Sequence, residues 1–85
     1  MAARSLEIGP AGMLAARAIE SLRTERGLGQ RQLAARCTAL GRPMSNTMLS
    51  SIELAKRRCD IDDLVAIAEA LQVSPLALLQ GAGAT

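Results

Sequence analysis

These 85 residues contain no phenylalanine, tyrosine, tryptophan or histidine. Without aromatic rings there is nothing on which unpaired bases could stack, which counts against a stacking reader of single strands or RNA. Without histidine no nucleophile–base pair can be assembled, so an enzyme is not expected. Cysteine is scarce as well. Cys37 and Cys59 are too few for a disulfide scaffold and their spacing fits no zinc motif, so neither a metal nor a cofactor is expected. Cys37 falls on an apolar stripe and is read as core. Cys59 follows a basic run and is read as an exposed thiol, a disulfide between the two being the lesser reading. No segment has the charged start and long apolar run of a signal peptide, and no apolar run could span a bilayer. The expectation is a cytoplasmic protein with no membrane partner.

What is present is aliphatic and unevenly charged. Nearly half of the composition is apolar, so one small core must be built from aliphatic side chains between closely packed helices. The net charge of +2 hides an asymmetry. Residues 29–58 carry six basic side chains (Arg31, Arg36, Arg42, Lys56, Arg57, Arg58) against Glu53 alone. Residues 59–85 carry Asp60, Asp62, Asp63 and Glu69 and no base. This division suggests a basic surface offered to a polyanion and a separate acidic side.

Along the chain, residues 1–12 hold Gly9, Pro10 and Gly12 without a sustained period and are expected to form a loose N-terminal segment. Residues 13–80 read as the folded domain and 81–85 as a tail. A first helix is predicted over 13–26, with Leu14, Ala18, Ile19 and Leu22 buried and Gly27 as its left-handed cap. A second runs over 30–39 on Leu33, Ala34 and Cys37, and Gly41-Arg42-Pro43 breaks the chain after it. Ser45 then caps a third helix that reaches Glu53. Asp60 caps a fourth, whose stripe is Leu64, Ile67, Ala68 and Leu71, with Asp62 and Asp63 at the positive end of its dipole. Ser74-Pro75 opens a short fifth, with Leu76 and Leu79 inward and Leu78 near the edge. The fold class is all-α: five helices, short loops, no strand and no repeat.

The third helix is the stretch that points to function. Leu49 and Ile52 share one face, with Met44 and Met48 beside it. Thr47, Ser50 and Ser51 share the other, flanked by Asn46. A merely solvated face more often carries Lys and Glu, which favour helix. Short uncharged hydrogen-bonding groups instead let the backbone come close to a partner, as the major groove of DNA requires. Lys56-Arg57-Arg58 follow directly, where a solvated basic loop and a phosphate clamp are the two readings; the helix before them favours the clamp. Arg31 and Arg42 are open between phosphate contact and plain surface.

The ordered set of residues resembles the phage-repressor-like (Cro/cI-type, XRE-like) helix-turn-helix DNA-binding domains. The resemblance rests on Ile19-x-x-Leu22-Arg23 with Gly27-Leu28, then Gln30-x-x-Leu33-Ala34, then Met44-Ser45-x-x-x-Leu49-x-x-Ile52-Glu53. It continues through Asp63-Leu64-x-x-Ile67-Ala68-x-Ala70-Leu71-x-Val73-Ser74-Pro75-x-x-Leu78-Leu79. It implies a five-helix lambda-repressor-like domain, a sequence-specific double-stranded DNA-binding transcriptional regulator of repressor type, and a homodimer. By matching position, Asn46, Thr47, Ser50 and Ser51 would face bases. Gln30 would meet a phosphate, with Arg31, Arg42, Ser45, Lys56, Arg57 and Arg58 completing the backbone set. Arg23 and Glu53 match an ion pair joining helix one to the end of helix three. The alternative is a protein-interaction module, an antitoxin or adaptor on the same fold, with a protein partner docked on the acidic half.

Two departures from the pattern carry expectations of their own. The segment from Ala34 to Ser45 is longer than the usual turn, which either lengthens helix two or gives a loop carrying Arg42 toward DNA. Ala55 stands where the family places a glycine with positive φ, so helix three is expected to run past Glu53 and redirect Lys56, Arg57 and Arg58.

Overall fold

The computed structural model describes residues 8–80. Among them are five helices: α1 (Pro10–Glu25), α2 (Gln30–Ala39), α3 (Asn46–Glu53), α4 (Ile61–Leu71) and α5 (Pro75–Gln80). The expectations for residues 1–7 and for the tail 81–85 lie outside the described residues.

Helix α1 begins at Pro10 rather than Met13. Gly9 is its extended N-cap, and Met13 N–H closes the first turn on the Gly9 carbonyl at 3.0 Å. Proline at the first helical position has no N–H to leave unpaired and its φ is already helical, so the Gly9-Pro10 pair starts a helix instead of preventing one. Ile8 covers Gly12 so closely that a Cβ there would lie 2.6 Å from Ile8 Cγ2. The buried stripe is Ala15, Ala18 and Ile19 with Leu22 half-buried, and Leu14, expected inside, is exposed. Both registers satisfy helical spacing. The alanine stripe is the one that lets α5 lie close, and α1 packs most extensively on α5.

Four helix ends are closed in the same way. After α1, Gly27 N–H bonds the Thr24 carbonyl and Leu28 N–H the Arg23 carbonyl; after α2, Gly41 and Arg42 do the same to Thr38 and Cys37. These are Schellman caps, with the glycines at φ 69° and 99°. Helices α3 and α4 end identically, but on Ala55 (φ 58°) and Gln72 (φ 61°), where a Cβ makes the left-handed conformation costly. Ala55 therefore does not extend α3. The helix stops at Glu53, Ala55 N–H bonds Ile52 O at 3.0 Å and Lys56 N–H bonds Ser51 O at 2.9 Å. Two carbonyls that would otherwise be orphaned gain partners, and this outweighs the local strain.

Ile19, Leu33, Leu49, Ile52, Ile67, Leu71 and Leu78 form the fully buried centre. Each is worth about 1.5–3 kcal/mol relative to exposure. Helix α4 lies deepest, with Leu64, Ala66, Ile67, Ala68, Ala70 and Leu71 all buried. In α5 the expected order is inverted: Leu78 is 0 % exposed, while Leu76 and Leu79 are 58 % and 45 % exposed. Three leucines in six residues fit more than one helical phase. The left-handed turn at Gln72 and the packing of Val73 on the core choose which one faces inward.

The connection before α3 is six residues long, 40–45, and none of it is helical. Helix α2 runs to Ala39, and the cap on Gly41 turns Arg42 toward α4. Arg42 Nε donates to Asp63 Oδ1 at 2.9 Å and Nη2 to Asp60 Oδ2 at 3.0 Å. Asp60 and Asp63 also cap α4 reciprocally, Asp63 N–H donating to Asp60 Oδ1 at 2.7 Å and Asp60 N–H to Asp63 Oδ2 at 3.3 Å. Arg42 thus braces the α2–α3 connection against the start of α4.

Candidate nucleic-acid interface

Helix α3 is eight residues long and divides by face as its sequence requires. Leu49 and Ile52 are buried and Met48 is partly buried against the core. Asn46 and Thr47 are exposed, and Ser50 and Ser51 are half-buried. Its start is fixed twice. Ser45 Oγ accepts from Met48 N–H at 3.0 Å, which satisfies one of the free donors of the first turn. Just upstream, Met44 N–H donates to Thr38 Oγ1 at 3.1 Å, and that hydroxyl lies 3.1 and 3.2 Å from the carbonyls of Ala34 and Met44. Thr38 thereby ties the connection to the last turn of α2. It was not singled out from sequence, because a threonine near a helix end carries no signal of a partner six residues away.

The far end of α3 is held by a charged network. Arg23 Nε and Nη2 donate to the two Glu53 oxygens at 2.7 and 3.1 Å, and Arg23 Nη1 donates to the Leu28 carbonyl at 2.8 Å. Above all this hydrogen bonding to Glu53 keeps the Arg23 guanidinium even more firmly protonated than usual. Gln30 Nε2 donates to Glu53 Oε1 at 2.9 Å. The Glu53 side chain is only 4 % exposed, so its charge is tolerable there because three donor groups surround it. The result is that the first residue of α2 sits at the last residue of α3.

Among similar chains, the family described as helix-turn-helix matches residues 19–78, from the middle of α1 into α5. The chain belongs to that family. It is a DNA-binding transcriptional regulator of the XRE type. Two of the solved structures that share its fold are gene-control proteins. One is the clp gene regulator ClgR from Corynebacterium glutamicum, with a TM-score of 0.73 and 22 % identity over 84 % of this chain and 70 % of that one. The other is a mutant of the restriction-modification controller protein C.Esp1396I, with a TM-score of 0.72 and 25 % identity over 85 % of each chain. No curated protein matches the chain in sequence.

Within the helix-turn-helix, the residues singled out from sequence fall into three groups. Asn46, Thr47, Ser50 and Ser51 lie together on α3. Arg31 is exposed beside Gln30 at the start of α2, and Lys56, Arg57 and Arg58 are exposed just past the α3 cap. Because Gln30 bonds Glu53, these two basic groups flank neighbouring ends of α2 and α3. Ser45 is committed to capping, and Arg42, in the α2–α3 connection, is paired with Asp63 of α4. Gly29, an unusual cap for α2, has its N–H satisfied by Gln32 Oε1 at 2.7 Å. The glutamine three residues after the cap was the available sequence signal for this.

The two thiols are free. Cys37 is fully buried as expected, but Cys59 is partly buried and packs against the core rather than standing at the surface. Burial, with Asp63 nearby, pushes Cys37 up to about 11 and Cys59 up to about 12. Neither is a reactive thiolate at neutral pH. Among the described residues no cluster could hold a metal ion, and no helix is long and apolar enough to cross a membrane.

Proposed function

We propose that this regulator is a sequence-specific reader of double-stranded DNA that lays α3 in the major groove and acts as a repressor by occupying its site. The observation that carries this reading is the uncharged polar face of α3. Asn46, Thr47, Ser50 and Ser51 present short donors and acceptors, while a buried Leu49 and Ile52 hold the helix rigidly from behind. Asn46 is the strongest base reader, since an amide can bond adenine bidentately; serine and threonine discriminate less. Arg31, Lys56, Arg57 and Arg58 supply the phosphate charge, and Gln30 and Ser45 lie at helix N-termini where backbone amides favour an anion. Arg42 leaves the phosphate set, because Asp60 and Asp63 hold it.

The protein acts as a homodimer in the cytoplasm, since a single module reading one half-site seldom reaches useful specificity. Leu76 and Leu79 on α5, with Met13 and Leu14 on its neighbour α1, leave apolar area exposed for a second copy. Leu78 takes no part, being core.

Selection from randomised duplex DNA, followed by a salt titration on the winner, tests the reading. A palindrome with half-sites about one helical turn apart is expected. Four cations per protomer give a log–log salt slope of roughly −4 for one copy and −7 for a dimer. Weak binding to every duplex, with no enriched motif, would remove α3 as a base reader. It would turn attention to the acidic face of α4 as a protein-docking surface.

A further inference from the structure

We infer that Glu53 is a positioning residue for DNA contact: paired with Arg23, it holds the Gln30 side-chain amide in place to donate to a backbone phosphate. The inference rests on the reading of Gln30 as a phosphate ligand and adds to it a residue that touches no DNA.

A glutamine at the start of a helix has several rotatable bonds, and an untethered amide loses most of its contact energy in being ordered. Here Gln30 Nε2 lies 2.9 Å from Glu53 Oε1. The amide nitrogen carries two hydrogens. One is directed to Glu53, which orients the group and leaves the second for a phosphate oxygen. A bare carboxylate beside a phosphate would repel it. Glu53, however, accepts from Arg23 Nε at 2.7 Å and Nη2 at 3.1 Å, so the carboxylate meets a guanidinium cation on its other side. Arg23 is fixed in turn by the Leu28 carbonyl at 2.8 Å. The relay runs from α1 through the end of α3 to the start of α2, and joins the groove helix to the helix that crosses the backbone. One rigid unit thus presents base-facing and phosphate-facing groups in a set register.

A double-mutant cycle on the selected duplex tests this, with Gln30→Ala, Glu53→Gln and both together, each affinity corrected for the folded fraction measured by circular dichroism. Gln30→Ala is expected to weaken binding about fivefold to tenfold on all sequences alike, with the salt slope unchanged, because no cation is lost. Glu53→Gln is expected to weaken it about threefold or more. The double variant is expected to bind no more weakly than Gln30→Ala, since nothing remains to be positioned. Independent, multiplicative losses would overturn the positioning role and leave Gln30 as an ordinary contact. An unchanged affinity in Gln30→Ala would overturn the phosphate contact and the positioning role together, while α3 readout stands. Failure of the unaltered protein to bind any duplex would overturn the whole DNA reading. If Glu53→Gln does not fold, the Gln30 side-chain amide in the unaltered protein decides: a through-hydrogen-bond coupling to the Glu53 carboxylate that persists while the amide signal shifts on adding the selected duplex supports the inference, and loss of that coupling or an unmoved signal overturns it.

Discussion

Among the described residues, Ala55 and Gln72 are the two non-glycine positions with positive φ, and each closes a helix that a glycine would close more cheaply. Ala55→Gly is expected to raise stability by ~1 kcal/mol, the left-handed penalty less the added freedom of the unfolded chain. An increased urea midpoint at constant slope would show it; a decrease would mean that Ala55 is not under strain. Arg23 belongs to the same scale. Arg23→Ala leaves Glu53 buried without its cation and is expected to cost roughly 3–5 kcal/mol. Chemical denaturation that found a loss below about 1 kcal/mol would place Glu53 in solvent rather than in the network. The thiols give a third residue-level expectation. Their folded pKa values lie above the ordinary 9.0, so their contribution to stability is present below pH 9.0 and is lost as pH rises through about 11 for Cys37 and about 12 for Cys59. At pH 8 both are expected to react with a thiol reagent far more slowly in the folded protein than in urea.

At the scale of elements, α3 and the basic run after it divide recognition between them. Asn46→Ala is expected to relax the preference at one base position by about 1–3 kcal/mol and to leave the salt slope alone. Arg57→Glu is expected to weaken all duplexes nearly alike and to reduce the slope by about one or more. Competition titrations on the selected and a scrambled duplex separate the two, and an exchange of these phenotypes would reverse the assignment. The Arg42 brace acts on elements as well. Backbone and side-chain hydrogen bonds with Asp63, aided by Arg42, hold Asp60 below its ordinary 3.8. A lowered folded value contributes stability that is complete above 3.8 and is lost as pH falls through the folded value. Arg42→Gln should lower the denaturation midpoint at neutral pH, and Asp60→Asn should flatten the acid limb of the stability profile. A limb unchanged in Asp60→Asn would assign acid sensitivity to another carboxylate.

For the molecule as a whole, the acidic α4 and the basic α2–α3 unit share one core, and the exposed leucines of α5 lie on a helix that α1 and α4 support. Leu76→Asp is expected to yield a folded monomer, because its side chain is mostly exposed. Sedimentation would show the change in mass, and affinity for a palindrome would fall toward that for a half-site. A monomeric unaltered protein with undiminished specificity would remove the dimer.

The five helices and most of their limits were legible in the sequence because local signals agree: Gly27 as a cap, Gly41-Arg42-Pro43 as a break, Ser45, Asp60 and Ser74-Pro75 as starts, apolar residues at helical spacing between them. The polar face of α3 was legible for the same reason, since one eight-residue helix with a single apolar stripe has only one way to turn inward. Leu14 against Ala15, and Leu78 against Leu76 and Leu79, were not, because both registers satisfy the period and only the approach of α5 to α1 separates them. Ala55 was misread because intrinsic φ preference is a cost of about one or two kcal/mol, which two capped carbonyls and the packing of a whole helix can outweigh. The carboxylate partners of Arg42 and Gln30, each more than twenty residues away, were not legible in the sequence. Sequence alone determined which stretches form helices and which helix has a face fit for a groove. The tertiary structure decided which charges are already paired, because an ion pair depends on distances that only packing brings about.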